Sequence, residues 1–548
     1  MKVGTPSDLA RMPSAGGWPA ERRPRGALAR HSVGALAFAV LASMAMAFSL
    51  AGQDFSEPLL PRGRLRLEIN SFFLFADKRF GQRVEGGSLI EKGEPLGFDF
   101  ADTAVGTRMF PALEIQEASL ARAAGVPIAP SVLGETRAVL TKDAVWLPIR
   151  MDVGVFDWLT VGGVLPFSRR RAEFATSFLD RGANVGTRPG VHLDFLGAVS
   201  TANAALTSVA NSLCSADPLG SGCGQATSLL AEGEEFWQSV GDAYKGHGVF
   251  PLTGSATGTA LQTRVTALLN AYQSLGVGTF PSAIPLATEV LTEATYLDLV
   301  TNPDYRVEGD SLKTWRSPWE LGDTELYAKA RLWGIGQETG PNGSQPTIRA
   351  EIGAGVLIRL GAGRTDSPRN FIDTGSGNGQ NDIEVSAFGT LNLRGRLGVV
   401  GDVLYGRQRP VRVFKRVAAP DRIFAPLSTE EIVRWDPGDY AQLRLSQRMY
   451  LSEEVAITFN FRYLRKQSDR YGLDEGVIAP DPTVLEIETK ATLLGIGGGV
   501  VYSTVLSGRG RPVEARFLFH RAVSGSGGAT PKTSRFEVGL RFYRGLWE

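Results

Sequence analysis

Outside one segment near its start, this 548-residue chain has no apolar run approaching 18 residues. A bundle of membrane-spanning helices is therefore excluded, since each needs ~20 consecutive apolar residues. Histidine is scarce, with four in the chain, and no Gly-x-Ser-x-Gly elbow, His-Glu-x-x-His or phosphate-binding glycine loop occurs. The expectation is a protein that is not an enzyme and holds no cofactor or metal. An excess of one charge is missing too: 58 Lys and Arg stand against 57 Asp and Glu, which gives no field for nucleic acid. Cysteine stops at two, whereas glycine reaches 65.

The exceptional apolar segment comes early. Arg22, Arg23, Arg25 and Arg30 precede the run from Val33 to Leu50, with small residues around Ala45-Met46-Ala47 and Ser49-Leu50-Ala51. A basic region, an apolar stretch and a small-residue site read as a secretory signal rather than a single anchor. Residues 1–51 are expected to be a signal peptide with a long leader, and the mature chain to begin near Gly52.

An exported chain without spanning helices can still cross a membrane as a closed barrel, because lipid cannot hydrogen-bond an open sheet edge. That demands alternating segments, and they are present. Phe536, Val538, Leu540 and Phe542 share one face, and Arg535, Glu537, Gly539 and Arg541 the other. Val455, Ile457, Phe459 and Phe461 oppose Thr458, Asn460 and Arg462; Leu326, Ala328 and Ala330 oppose Glu325, Lys329 and Arg331. Period 2 recurs in segments drawn at 64–76, 137–155, 158–170, 323–334, 347–361, 382–393, 396–409, 439–451, 455–469, 485–506, 513–523 and 534–544.

Alternation also fits a soluble sandwich with one wet face, but joint lengths discriminate. Phe156-Asp157, 335–346, 394–395, 452–454 and 507–512 are mostly short; 77–136, 171–322 and 410–438 are long. Short turns at one end and long loops at the other are the habit of outer-membrane barrels. The fold expected is thus an all-β, antiparallel transmembrane barrel of about 12 strands, within roughly 10–14. Residues 52–170 and 323–548 would form the barrel in the cell outer membrane, and 171–322 a large helical extracellular insert.

"LPIRMDVGVFDWLTVGGVLPF" followed downstream by "WELGDTELYAKARLWG" resembles the motif pair of the outer-membrane family labelled phenol meta-pathway degradation proteins. The matching positions are Pro148, Gly154, Asp157, Leu159, Pro166, Leu321, Gly322, Asp323, Leu326 and Lys329. The resemblance covers the barrel strands and not the insert. It implies a transport barrel, distantly similar to long-chain fatty-acid transporters, although only residues 52–63 precede the first strand and leave no room for an N-terminal hatch.

The insert is Ala-rich and helical in pattern over 199–213, 225–244, 258–275 and 286–300. At about 150 residues it exceeds a passive loop, and it reads either as a cap over the barrel mouth or as a packing domain. Cys214 and Cys223 lie between its first two helices, where one disulfide would staple a hairpin. His520 sits on the polar face with Glu514 and Arg516, as a lumen residue rather than a catalytic one. The stretch 373–382, "DTGSGNGQND", has the composition of a calcium loop without its spacing, and is expected to be an exposed Gly-rich loop.

The inward face supplies the site candidates: Asp323, Glu325, Lys329, Arg331, Glu351, Arg444, Arg448, Asn460, Arg462, Glu514, Arg516 and Arg541. Either opposite charges pair across neighbouring strands and fill the interior, or an excess of Arg lines a pathway favouring anions. Inward glycines leave room for the second. Passive movement of small molecules, hydrophobic or aromatic ones among them, is the leading expectation; the alternative is a non-conducting surface barrel whose insert binds a partner or polysaccharide. Partners would be outer-membrane lipid, the solute and, in biogenesis, the barrel-assembly machinery.

Overall fold

The structure is a computed structural model that describes residues 58–547 apart from 81–82, 86–87, 91–92, 246–247, 337–346, 394–395, 475–480, 506, 508–510 and 528–529. The expected signal segment and His247 lie outside the described residues.

Twelve strands form the wall: β1 Arg64–Ala76, β2 Gly134–Phe156, β3 Leu159–Leu179, β4 Thr324–Ile335, β5 Ile348–Leu360, β6 Asp382–Leu393, β7 Leu397–Arg407, β8 Tyr440–Tyr450, β9 Val455–Lys466, β10 Ala491–Ser503, β11 Val513–Ser526 and β12 Ser534–Gly545. Each pairs antiparallel with the next, and β12 pairs with β1 from Arg64↔Gly545 to Phe75↔Ser534, which closes the sheet. The twelve expected segments coincide with these strands. The clearest differences are at β2 and β3, which run on to Gly134 and Leu179 as a hairpin beyond the wall, and at β10, which starts at Ala491 because Pro482–Glu486 turns as a 3-10 helix. Leu485 and Glu486 fall in that 3-10 turn and Glu488 has a φ of 60°, so the extended run starts after them.

Side-chain exposure inverts the soluble pattern. On β12, Phe536, Val538, Leu540 and Phe542 are each about 40% exposed, whereas Glu537 and Arg541 are 3% and 1% exposed. Such a wall is stable only with hydrocarbon outside it. No described helix is long and apolar enough to cross a membrane; the strands do the crossing. At the short-turn end, Phe156 stacks on Trp158 with ring centroids 5.5 Å apart. Exposed Trp333 and Trp547 continue an aromatic girdle of the kind that sits at a membrane interface. The turn between β2 and β3 is tied to the start of β1: Asp157 accepts from the Arg62 backbone N–H at 3.0 Å, and Gly63 N donates to Gly154 O at 2.8 Å. A Cβ on Gly154 would meet Pro61 O at 2.1 Å, so glycine is required for that approach.

At the other end the long loops fold into a cap. Helices α1 Leu113–Ala124, α2 His192–Ala216, α3 Ser221–Tyr244, α4 Ala256–Ser274 and α5 Glu293–Thr301 supply its bulk. One core gathers Leu120, Phe195, Val199, Leu206, Phe236, Val240, Leu261, Val265 and Tyr272 from α1 to α4. Thus α1, from the first long loop, belongs with the insert helices; its buried Gln116 donates to Ala243 O and Val249 O at 3.0 and 2.7 Å. A second core joins Phe100, Met109, Phe110, Phe174, Phe178, Tyr296, Val307, Ile372 and Phe424, drawn from four loops and the projecting hairpin. The fourth expected helix is half corrected. Ala287 bridges Leu252 and Val290 bridges Gly186, so residues before Thr292 are extended; the helix begins where Thr292 and Thr295 form a capping box. Cys214 and Cys223 are bonded, Cα atoms 4.7 Å apart, and staple α2 to α3.

Two outcomes are expected. Val538→Arg, placed mid-wall on the lipid face, should destabilise the barrel by ~2–4 kcal/mol. The readout is denaturant titration of the heat-modifiable gel band, with Val538→Leu near neutral. Cys214→Ser should lower the cap's stability by ~2–3 kcal/mol from loop closure alone; limited proteolysis should then cut the α2–α3 region while the barrel band persists.

Candidate functional site

Charges that cannot face hydrocarbon turn inward, where β1, β2, β11 and β12 assemble a chain of opposite signs. Asp152 takes Arg66 Nη2 at 2.7 Å and Arg150 Nε at 2.9 Å. Glu68 accepts from Arg516 Nη2 at 2.6 Å and Arg541 Nε at 2.8 Å. Arg541 continues to Glu514 at 3.0 Å, Glu514 to Arg448 of β8 at 3.1 Å, and Arg516 to Glu537 at 2.8 Å. Toward the long-loop end, Arg359 holds Glu325 and Asp382 at 3.0 Å each and Glu384 at 2.6 Å, and Tyr440 donates to Glu384. Arg444 grips Asp402 at 2.6 Å. The carboxylates compensate the cost of burying so many guanidinium groups.

The sequence candidates divide accordingly. Glu325, Lys329, Glu351, Arg448, Glu514, Arg516 and Arg541 are buried inside the wall. Arg331, Arg444, Asn460 and Arg462 also point inward but are only partly covered. Asp323 lies at the rim, where it accepts from Gly363 N and Asn378 N, both at 2.9 Å. Lys329 sits over the Tyr327 ring at 5.4 Å, and Tyr327 donates to Asp152. Missing from the candidate set were Arg66, Glu68, Arg150, Asp152, Arg359, Glu384, Asp402 and Glu537. Their signal was the same alternation, for Arg66, Glu68 and Asn70 interleave with Leu67 and Ile69.

The room expected beside inward glycines is taken up at Gly497 and Gly539. A Cβ on Gly497 would meet the His520 ring at 2.4 Å, and one on Gly539 would meet Asn70 Oδ1 at 2.4 Å. At these two positions the glycine accommodates a neighbouring polar side chain and does not widen a pore, whereas a Cβ on Gly495 would come no closer than 3.7 Å to a neighbour. His520 Nε2 lies 3.5 Å from Glu537.

Above this network is a vestibule of about 560 Å³. Leu74, Trp146 and Pro166 form an apolar side; Lys142, Arg171, Asp366 and Asp373 bring charge. Residues 361–381 form part of its lining, held by Arg170 Nη1 to Thr374 O at 2.7 Å, Arg364 to Asp373 at 2.9 Å and Lys415 to Asp366 at 2.7 Å. The loop is therefore not simply exposed, since Ser376 and Gln380 are each 2% exposed. Asp373 already accepts from Arg364 and Ser367 N, and among the described residues no three His, Cys, Asp or Glu side chains converge as metal ligands. Burial raises the Asp366 carboxyl, but the Lys415 ammonium outweighs it and holds the group below its usual range. Burial also raises Asp373, and there the Arg364 guanidinium does not fully reverse it.

A closed antiparallel barrel with apolar residues outside and paired charges inside is a β-barrel of the outer membrane. The sequence matches no family model and no curated protein. Among solved structures it is similar to an outer membrane channel of Pseudomonas putida F1, with 8% identity and a TM-score of 0.39 over 90% of this chain and 98% of that one. It is also similar to the Ralstonia pickettii toluene transporter TbuX, with 9% identity and a TM-score of 0.28 over 89% and 90%. A third likeness is the translocator domain of the autotransporter NalP from Neisseria meningitidis, with 8% identity and a TM-score of 0.27 over 88% and 89%. None of these names carries the phenol meta-pathway label, which stays a resemblance of motifs.

Removing one carboxylate should expose how tightly the network is balanced. Glu68→Gln leaves Arg516 and Arg541 short of a partner and should cost ~3–5 kcal/mol. Asp474→Asn, which breaks the exposed Arg412–Asp474 pair of 3.0 Å, should cost under ~1 kcal/mol; equal losses in denaturant titration would refute the contrast.

Proposed function

We propose that the protein is a passive route by which small molecules, hydrophobic or aromatic solutes among them, cross the outer membrane. In this reading the long loops face outward and the short turns face the periplasm, the usual arrangement of such barrels. The observation that carries it is the vestibule: about 560 Å³ falls within the size of small-molecule sites. Its apolar wall of Leu74, Trp146 and Pro166 against Lys142 and Asp366 suits a solute with an apolar body and a polar end. Below it, Arg331, Arg444, Asn460 and Arg462 are among the lumen side chains that keep partial exposure, whereas Arg66, Glu68 and Arg541 are sealed. A solute passing this side meets guanidinium edges whose carboxylate partners, Glu351 at 3.8 Å from Arg331 and Asp402 at 2.6 Å from Arg444, are buried behind them, which favours anions. No covalent step is involved. The partners in this reading are the surrounding lipid, the solute and, during biogenesis, the barrel-assembly machinery.

The ion-paired lumen favours one alternative, a non-conducting barrel whose helical cap binds a partner or polysaccharide. Benzoate uptake into proteoliposomes separates the two. The transport reading expects uptake by the intact chain, with Arg331→Gln lowering the preference for benzoate over a neutral solute by roughly two- to fivefold, as loss of up to ~1 kcal/mol per charge implies. No uptake from protein that keeps its heat-modifiable gel shift would overturn transport and leave the alternative standing.

A further inference from the structure

On the outside of the wall, next to the vestibule and sharing Gln408 with it, is a second cavity of about 930 Å³. It opens between the rim of β6 to β10 and a small sheet made by Val411–Arg416, Glu430–Asp436 and Arg470–Gly472. Five cations line it, namely Arg407, Arg409, Arg434, Arg470 and Lys490, and all are exposed. Two carboxylates accompany them, Asp436 and Asp439, and the second already accepts from the Tyr405 hydroxyl. None of the five forms an ion pair with another described residue. The contrast with the lumen, where guanidinium groups are met by carboxylates, marks a site with five cations to two carboxylates.

Strand register fixes its height on the wall. Val385, Tyr405, Ala441, Arg465 and Thr492 are successive partners across β6 to β10, and so are Ala387, Val403, Leu443, Tyr463 and Leu494 two residues further down. The lower outward row is apolar except for one tyrosine, the upper begins to carry charge, and the cavity's cations lie just above both. Apolar side chains, then tyrosines, then cations is the order in which a wall passes from acyl chains through the interface to headgroups.

We propose that this crevice binds the phosphorylated headgroup of an outer-leaflet glycolipid, with the acyl chains lying down the wall against Val385 and Val403. The assignment rests on the outward orientation of the long loops given above. Arginine forks match phosphate oxygens bidentately, and a cluster of cations at headgroup level gains about a kcal/mol each from anionic lipid. A free phosphate would satisfy the same cations, but the apolar rows running directly downward from them favour an anion attached to acyl chains.

Native mass spectrometry of the full chain extracted in detergent, titrated with diphosphoryl lipid A, tests this. Wild type should retain the lipid, and the triple substitution Arg407→Gln, Arg434→Gln and Arg470→Gln should shift half-saturation on the order of a hundredfold. A control pair on the cap, Arg122→Gln with Lys245→Gln, should leave it unchanged. Equal retention by the triple variant would overturn the proposal. So would wild type binding dephosphorylated lipid A as well as the diphosphoryl form, a comparison that needs no variant; displacement by excess inorganic phosphate would assign the site to a free anion instead. The heat-modifiable gel shift, read in parallel, keeps the outcomes apart: its absence from wild type removes the barrel reading itself, whereas its presence with unaltered lipid retention removes only the lipid site.

Discussion

Hydrocarbon around the wall is the constraint on which the rest of this structure depends. With no water to serve the strands from outside, every backbone ladder must be completed within the protein, and β12 returns to β1 to leave no open edge. The same exclusion sends charged side chains to the lumen. There they cannot remain single, because an unpaired buried charge costs far more than a paired one. Glu68 shows the result: fully buried, it is held between Arg516 and Arg541, residues far from it in sequence that closure brings beside it.

Where the wall leaves the membrane, ordinary protein packing resumes. The cap is a folded body in which α1 from one loop and α2 to α4 from another share a core, while Phe174 and Phe178 of the projecting hairpin enter a second core with Phe110, Tyr296 and Phe424. That hairpin links the two regimes, since β2 and β3 are lipid-facing strands at one end and cap core at the other. The loop 361–381 is ordered by polar contacts instead, with Asp323, Arg170 and Glu320 holding its backbone or its Arg364. The vestibule takes its apolar side from Leu74, Trp146 and Pro166 of the wall and its charge from Lys142, Arg171 and the 361–381 loop.

Much of the fold was legible in the sequence. Twelve strands could be drawn because the pleat puts alternate residues on opposite faces, and Phe536 to Phe542 display that alternation without any knowledge of partners. The disulfide of Cys214 and Cys223 was legible for a similar reason, as a pairing across nine residues. The site was legible only in part. Glu514, Arg516 and Arg541 were placed inward by their own strand, but Glu68, their common neighbour, belongs to β1, and nothing local ties it to them. The space beside two inward glycines was not legible, because it is filled by side chains of other strands, His520 against Gly497 and Asn70 against Gly539.

What the sequence by itself determined is the barrel: strand number, the facing of each residue, and which joints are short, all properties of neighbours along the chain. Only the tertiary structure decided what the lumen and the outer rim contain. Register across the closed sheet sets which charges meet, so the same inventory of Arg and Glu could have lined an open pore or, as here, formed a paired network. It also decided that Arg407, Arg434, Arg470 and Lys490, drawn from the end of β7 and the loops that follow β7 and β9, stand together outside the wall in excess of the two carboxylates beside them.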